Sequence, residues 1–260
     1  MIKDLSEFQK GKTLLVDKPW GFTSFEIVKK IKNSILEKYS NSSCNCNLKI
    51  GHAGTLDPLA TGLLIVLTGK STKNVKYIQN YKKTYTGIIK LGCQTKSFDS
   101  ETEEYNFSST SHITTKLIRK TSKKFIGEIN QFPPYFSALK INGRKLYEYA
   151  RKGQKFLSLV KPRYVKIYQF HLLKISIPYI KFFIECGKGT YIRSIAKDFG
   201  EEIEIGAYLL SLRRERIGNY TMKSSKFFLK NLSNEFSCYL LNFVFFFIPY
   251  IEFFIRFFIC

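Results

Sequence analysis

The chain has 260 residues, enough for one sizeable core with a small appendage. Its 44% hydrophobic and 24% charged residues are ordinary for a folded globular protein, which excludes the compositional outlier classes. The 42 basic residues against 20 acidic ones, a net charge of +22, suit a polyanionic partner. An AT-rich genome would also enrich Lys, Ile, Phe, Tyr and Asn, so charge suggests nucleic acid without establishing it.

Taken in chain order, Met1 to Lys10 is polar and charged, unlike a signal peptide. The six cysteines, Cys44, Cys46, Cys93, Cys186, Cys238 and Cys260, are therefore expected as reduced thiols. Residues 13–16 read as a short buried strand, broken by Asp17-Lys18-Pro19-Trp20-Gly21. Thr23 and Glu26 make a capping box before Ile27, Val28, Ile31, Ile35 and Leu36 at helical spacing. Residues 40–49 form a polar loop. Cys44 and Cys46 lie near His52, but no second ligand pair follows, so no metal is expected. Residues 51–62 are another loop, and Leu63 to Leu67 is an apolar run of strand length. Ser71 is expected to cap a short helix through Tyr81, and Thr84 to Leu91 reads as a strand. Residues 95–112 look like a polar surface excursion, followed by a helix from Leu117 to Phe125.

Gln131-Phe132-Pro133-Pro134 cannot be regular structure. Ser137 to Ile141 with Asn142-Gly143 reads as a hairpin turn, and Lys145 to Lys152 as a short helix capped by Gly153. Arg163 to Ser176 and Tyr179 to Cys186 are strands. Thr190 to Phe199 is an amphipathic helix stopped by Gly200, and Ala207 to Ile217 is a last strand. Helices and strands mix without regular βα alternation, which favours an α+β fold over a doubly wound sheet. Tyr239 to Cys260 is rich in Phe, Leu and Ile and approaches the length of a membrane span. Glu252, Arg256 and Pro249 interrupt it, so a packing helix or strand is expected rather than a stable membrane association.

The chemistry concentrates in Gly51-His52-Ala53-Gly54-Thr55-Leu56-Asp57-Pro58-Leu59-Ala60-Thr61-Gly62. Three glycines permit close backbone approach to a ligand. Pro58 turns Asp57 away from helical conformation and presents its carboxylate on a rigid loop. Asp57 could be a nucleophile, a base, or simply the cap of a tight turn; chemistry alone does not choose.

This stretch closely resembles the catalytic motif of TruB-type tRNA pseudouridine synthases. Further segments resemble that family's motifs in order across residues 13–216. Leu15-Val16-Asp17-Lys18-Pro19 with Gly21 and Ser24 is similar to its first motif. Lys83-Thr84-Tyr85 is similar to the motif bearing a uracil-stacking tyrosine. Ser137 to Lys140 and Leu146 to Gly153 resemble its RNA-gripping insertion, placed at about 130–155. Lys188 to Ser194 resembles the motif whose arginine pairs with the catalytic aspartate, and Leu212-Arg213-Arg214 the final motif.

The resemblance implies an α+β pseudouridine synthase fold, with a central, mostly antiparallel mixed sheet flanked by helices and a basic RNA-binding cleft. It implies isomerisation of uridine 55 in the tRNA T loop, with Asp57 acting on a flipped-out base. Arg193 is expected to hold Asp57 ionised through a bidentate pair. Tyr85 would stack on the base and is a candidate for the late proton removal at C5. Leu212 would close the other side of the base, His52 would enter the T loop, and Tyr191 would support the floor of the site. Lys18 joins the substrate-binding set, although with Pro19 it suits bracing the loop better than chemistry. Lys140, Arg144 and Arg151 belong to a basic cluster interleaved with Tyr147 and Tyr149, fit for phosphate contact. No cofactor is implied, because the isomerisation consumes nothing. The partner is the T arm of tRNA, and a cytoplasmic monomer is expected.

About forty residues follow the last motif, too few and too apolar for the small C-terminal RNA-binding domain of many bacterial relatives. The expected organisation is a catalytic domain over 1–236 and a Phe-rich tail over 237–260. Rival readings are a family member acting on another RNA, an idle tRNA-folding protein, or a membrane-attached protein using its tail. The idle protein would not need Asp57, Tyr85 and Arg193 together.

Overall fold

The structure, a computed structural model, describes residues 4–39, 47–137, 139–141, 143–151 and 160–222. Of Lys140, Ile141, Lys145 and Arg151 the backbone alone is described. The chain divides into two units, Met1–Ser225 and Lys226–Cys260, and every described residue belongs to the first. The Phe-rich tail, Gly153, and Cys44 and Cys46 lie outside the described residues.

In chain order the elements are α1 (Leu5–Lys10), β1 (Thr13–Lys18), α2 (Ser24–Tyr39), β2 (Ile50–His52) and β3 (Ala60–Thr68). A 3-10 turn at Gly69–Asn74 leads into α3 (Val75–Gln79), then β4 (Lys83–Leu91), β5 (Gln94–Thr95), β6 (Glu104–Tyr105), α4 (Thr115–Lys124) and β7 (Gly127–Gln131). The hairpin β8 (Lys140–Ile141) and β9 (Arg144–Lys145) is followed by α5 (Leu146–Arg151). The last elements are β10 (Arg163–Ser176), β11 (Tyr179–Cys186), α6 (Ile192–Glu202), β12 (Ala207–Ile217) and β13 (Tyr220–Thr221).

The main sheet runs β1-β3-β12-β4-β11-β10-β7, with β2 beside β3 and β13 beside β12. Its pairings are antiparallel except for the short parallel join of β3 and β12, where Ala60, Thr61 and Gly62 meet Leu212, Arg213 and Arg214. This is the expected mixed α+β sheet flanked by helices. Gly62 makes the join possible: a Cβ there would stand 2.3 Å from the Arg214 carbonyl oxygen, so no side chain fits.

The larger core lies where α4 and α6 cover the sheet. Ile118, Ile195, Ala196 and Phe199 pack with Ile180, Phe182 and Ile184 of β11 and with Phe170 of β10. Burying each such aliphatic or aromatic side chain contributes about 1.5–3 kcal/mol. β11 alternates intermediate and buried residues along its length, as a half-buried strand does. A second core joins Leu63, Ile65 and Leu67 of β3 to Ile78 of α3 and Ile217 of β12. Among the described residues no helix is long and apolar enough to cross a membrane.

Three local expectations are corrected. Ser71 lies within the 3-10 turn and caps no helix; the side chain that caps α4 is Thr114, whose oxygen accepts from Leu117 N at 3.2 Å. Gly200 does not stop α6, which continues to Glu202. It is needed inside the helix because a Cβ there would stand 2.1 Å from the backbone nitrogen of Ala207, where β12 begins. The polar stretch 95–112 is no plain surface excursion, since Thr95, Ser97 and Asp99 are buried within it.

Candidate active site

Asp57 lies in the return between β2 and β3, at the place where β12 joins β3. Four groups fix this return. Ser24, at the start of α2, accepts from Leu56 N at 2.8 Å and donates to Leu56 O at 3.0 Å. Thr23 and Glu26 form the anticipated capping box there, with Thr23 N donating to Glu26 Oε2 at 2.7 Å and Glu26 N to Thr23 Oγ1 at 3.2 Å. The Lys18 ammonium donates to the carbonyls of Pro19, Phe22 and Pro58 at 2.9, 2.7 and 3.1 Å. Gly21 N donates to Pro58 O at 2.9 Å. Arg214, from β12, fills the wedge beside the loop. Its Nη2 donates to Gly54 O at 2.9 Å, its Nη1 to Thr55 O at 3.3 Å and its Nε to Leu63 O at 2.8 Å.

On this frame the Asp57 carboxylate stays 39% exposed and receives Arg193 Nε at 2.9 Å. Arg193 projects from the first turn of α6 and is only 4% exposed. The bidentate pair expected from the sequence does not form. Arg193 Nη1 donates to Ser97 O at 3.0 Å and Nη2 to Phe136 O at 2.9 Å, while only Nε donates to Asp57. A second carboxylate, Asp99, lies 3.5 Å from that same Nε. Burial pushes the Asp99 carboxyl above its ordinary range, with the Arg193 charge opposing. Burial alone would depress Arg193, but Asp57 and Asp99 together hold it above its ordinary value. The guanidinium is thus a fixed cation with one part-exposed acceptor facing solvent.

Tyr85 of β4 is buried within the larger core, and Leu212 of β12, paired with Ala60, is partly buried against it. Burial pushes the Tyr85 hydroxyl up to about 12, with the nearby Arg214 charge pulling the other way. Tyr85 is therefore a neutral phenol near pH 7. His52, the last residue of β2, is held below its ordinary value by burial first and by Arg214 second. Its Nδ1 has no hydrogen-bond partner among the described residues. Tyr191 precedes α6, with the Arg163 guanidinium 5.7 Å from its ring centroid.

Lys18 is fully buried and its three donors are spent on carbonyls, so it braces the loop instead of facing a ligand. Burial lowers it to about 8, with Asp57 opposing the shift. Arg144 is exposed on the β8–β9 hairpin, and Lys140 and Arg151 are placed by backbone alone. Among the described residues no three His, Cys, Asp or Glu side chains gather where they could hold a metal ion.

Sequence reasoning passed over Asp99, Gln131 and the bracing role of Arg214. Arg214 stood in a recognised motif without an assigned task. Asp99 and Gln131 carried no local signal, because their partners are distant in the chain: Arg193 for the first and Tyr191 for the second. A part-exposed carboxylate fixed by a buried cation, beside a tyrosine face, can serve as a nucleophile or base toward a base turned out of its stack.

Comparison with known proteins agrees with this chemistry. Residues 42–192 match the family described as TruB family pseudouridylate synthase (N terminal domain). The chain is 44% identical over 216 residues to tRNA pseudouridine synthase B of Chloroherpeton thalassium, covering 83% of this chain and 87% of that protein. It is 45% identical over 219 residues to tRNA pseudouridine synthase B of Flavobacterium johnsoniae, covering 84% and 93%. Among solved structures, a chain of a Cbf5-Nop10-Gar1 complex superposes with a TM-score of 0.61 at 28% identity. That likeness covers 84% of this chain but only 51% of the other. A chain of an H/ACA RNP bound to a substrate RNA containing 2'-deoxyuridine gives 0.58 at 25% identity, again covering about half of that chain (51%).

Proposed function

The chain belongs to the TruB family of pseudouridylate synthases, and on that premise we propose that it converts uridine 55 in the T loop of tRNA to pseudouridine, with Asp57 as the catalytic carboxylate. The reaction breaks the N1–C1′ bond, turns the uracil and joins C5 to C1′; the proton leaving C5 is balanced by one gained at N1. The observation that carries the reading is the 2.9 Å pair between a part-exposed Asp57 and a buried Arg193, on a loop braced from three elements. A carboxylate so held is aimed without having to reorganise at the moment of reaction.

Tyr85 and Leu212 offer apolar faces for the uracil. The high value of the Tyr85 hydroxyl favours stacking as its first role; proton removal from C5 would need the phenolate, which the Arg214 cation beside it could balance. His52 would enter the space that the base leaves, and Tyr191 would support the floor of the site. Arg144, Lys140 and Arg151 would meet phosphates of the T arm. In this reading residues 1–236 form the catalytic domain, with the RNA-gripping insertion at about 130–155 and the tail at 237–260. The enzyme would work as a cytoplasmic monomer without a cofactor.

The experiment is chemical mapping of pseudouridine in a tRNA transcript incubated with the wild type and with Asp57→Asn. The amide is nearly isosteric with the carboxylate. The variant is expected to bind tRNA as the wild type does and to form no product. Turnover within about tenfold of the wild type, about 1.4 kcal/mol of barrier, would remove Asp57 from the chemistry.

A further inference from the structure

Helix α6 carries Arg193 in its first turn, yet the residue before it supplies no capping side chain. Gln131, 60 positions earlier, holds this point instead. It ends the edge strand β7, opposite Arg163, and its side chain is fully buried. Its Nε2 donates to Tyr191 O at 3.0 Å, and its Oε1 accepts from Tyr191 N at 2.8 Å. The orientation of the amide is forced, because a backbone N–H only donates and a carbonyl only accepts. Two further bonds fasten the same segment to the same turn: Ser194 Oγ to Phe132 O at 2.8 Å and Arg193 Nη2 to Phe136 O at 2.9 Å.

We propose that Gln131 is a positioning residue for catalysis, fixing the Tyr191 backbone and with it the first turn of α6 so that Arg193 meets Asp57. The inference rests on the roles proposed above for Asp57 and Arg193. A two-point clamp on the two peptide groups that flank one Cα resists both sliding and rotation of the helix start. The guanidinium lies at the end of a long side chain, so a small rotation there is amplified at Nε. Misplacement of a catalytic group by about 1 Å can cost about a hundredfold in rate.

The test uses Gln131→Glu in the full chain, in single-turnover assays on a tRNA transcript. At pH 8 the introduced carboxylate keeps the shape of the amide but sets an acceptor against Tyr191 O. Burial drives such a carboxyl upward in pKa. Once protonated, it can donate to Tyr191 O while accepting from Tyr191 N, restoring both bonds. The expected result at pH 8 is a rate about tenfold to a hundredfold below the wild type at the same pH. tRNA affinity is expected to stay near that of the wild type. By pH 6 the deficit relative to the wild type should shrink. Gln131→Met, which removes both bonds without adding charge, should show the pH 8 loss and no recovery at pH 6.

A support role for the fold alone would lower the melting temperature and leave the rate of the folded variant intact. Rates within twofold of the wild type in both folded variants overturn the inference. So does a Gln131→Glu deficit that acid does not relieve, or loss of fold in both variants. If the wild type forms no pseudouridine, the proposed function falls as well; an active wild type beside unimpaired variants removes this inference only.

Discussion

Arg193 directs one donor from each of its three nitrogens to Asp57 and to the carbonyls of Ser97 and Phe136, with Asp99 close behind. An ammonium at that place cannot span these planar, diverging directions. Arg193→Lys is therefore expected to slow single-turnover pseudouridine formation by about a hundredfold, the cost of misplacing a catalytic group by about 1 Å. A rate equal to the wild type would remove Arg193 from the site. Lys83 offers a pH test. Its ammonium donates to Gln79 O and Tyr81 O at 2.7 Å each, and burial lowers it from 10.5 to about 8. Between those values the unfolded chain binds more protons than the folded one, so this group makes stability rise with pH across that window and leaves it flat below. Lys83→Met should lose that rise, read as the difference in urea unfolding between pH 7 and pH 10; parallel pH profiles for the two proteins would contradict it. At this scale Asp57 and Arg193 were legible because they stand in recognisable motifs. Asp99 was hidden because nothing near it in the chain says that it will be buried beside a guanidinium.

The return between β2 and β3 shows how elements produce the site. Leu56 has both backbone groups satisfied by the single hydroxyl of Ser24, which opens α2. Ser24→Ala leaves two buried groups unpaired, each costing about 1–3 kcal/mol. The expected outcome is a lower urea midpoint together with a slower single-turnover rate, because the same residue holds the loop of Asp57. A stable but slow variant would still fit; a variant unchanged in both would show that the loop is held without Ser24. Long strands were readable at this scale. β10, β11 and β12 run over the residues read from the sequence, and β11 alternates buried and intermediate residues as a strand with one face buried does. Gly200 was misread because a glycine that ends a helix and one that admits a crossing backbone look alike in sequence; only the proximity of Ala207 separates them. The stretch 95–112 lies at the surface from Ser100 onward, as its polar composition says, but Ser97 and Asp99 turn inward to serve Arg193, which composition does not show.

At the scale of the whole molecule, the net charge of +22 gives affinity for RNA but no address. Phosphate contacts release counterions, so binding should weaken steeply as salt rises, for the T arm and for unrelated RNA alike. The choice of base must come from shape and from splayed loop bases, as RNA recognition generally does. The hairpin β8–β9 with α5 lies in the segment proposed to grip the T arm, and Phe136 at its root accepts from Arg193 Nη2 at 2.9 Å. On the proposed reading, recognition and chemistry meet at the T arm. An isolated T-arm stem-loop should therefore be modified at the position of uridine 55 at a saturating rate near that of whole tRNA. Raising salt from about 50 to about 200 mM should raise the RNA concentration needed without lowering that saturating rate, since a salt-sensitive contact acts on affinity. Asp57→Asn should show the same salt slope in binding, because the carboxylate contributes no phosphate contact. Modification of anticodon-arm or ribosomal fragments, with the T-arm stem-loop untouched, would keep the family and refute the substrate.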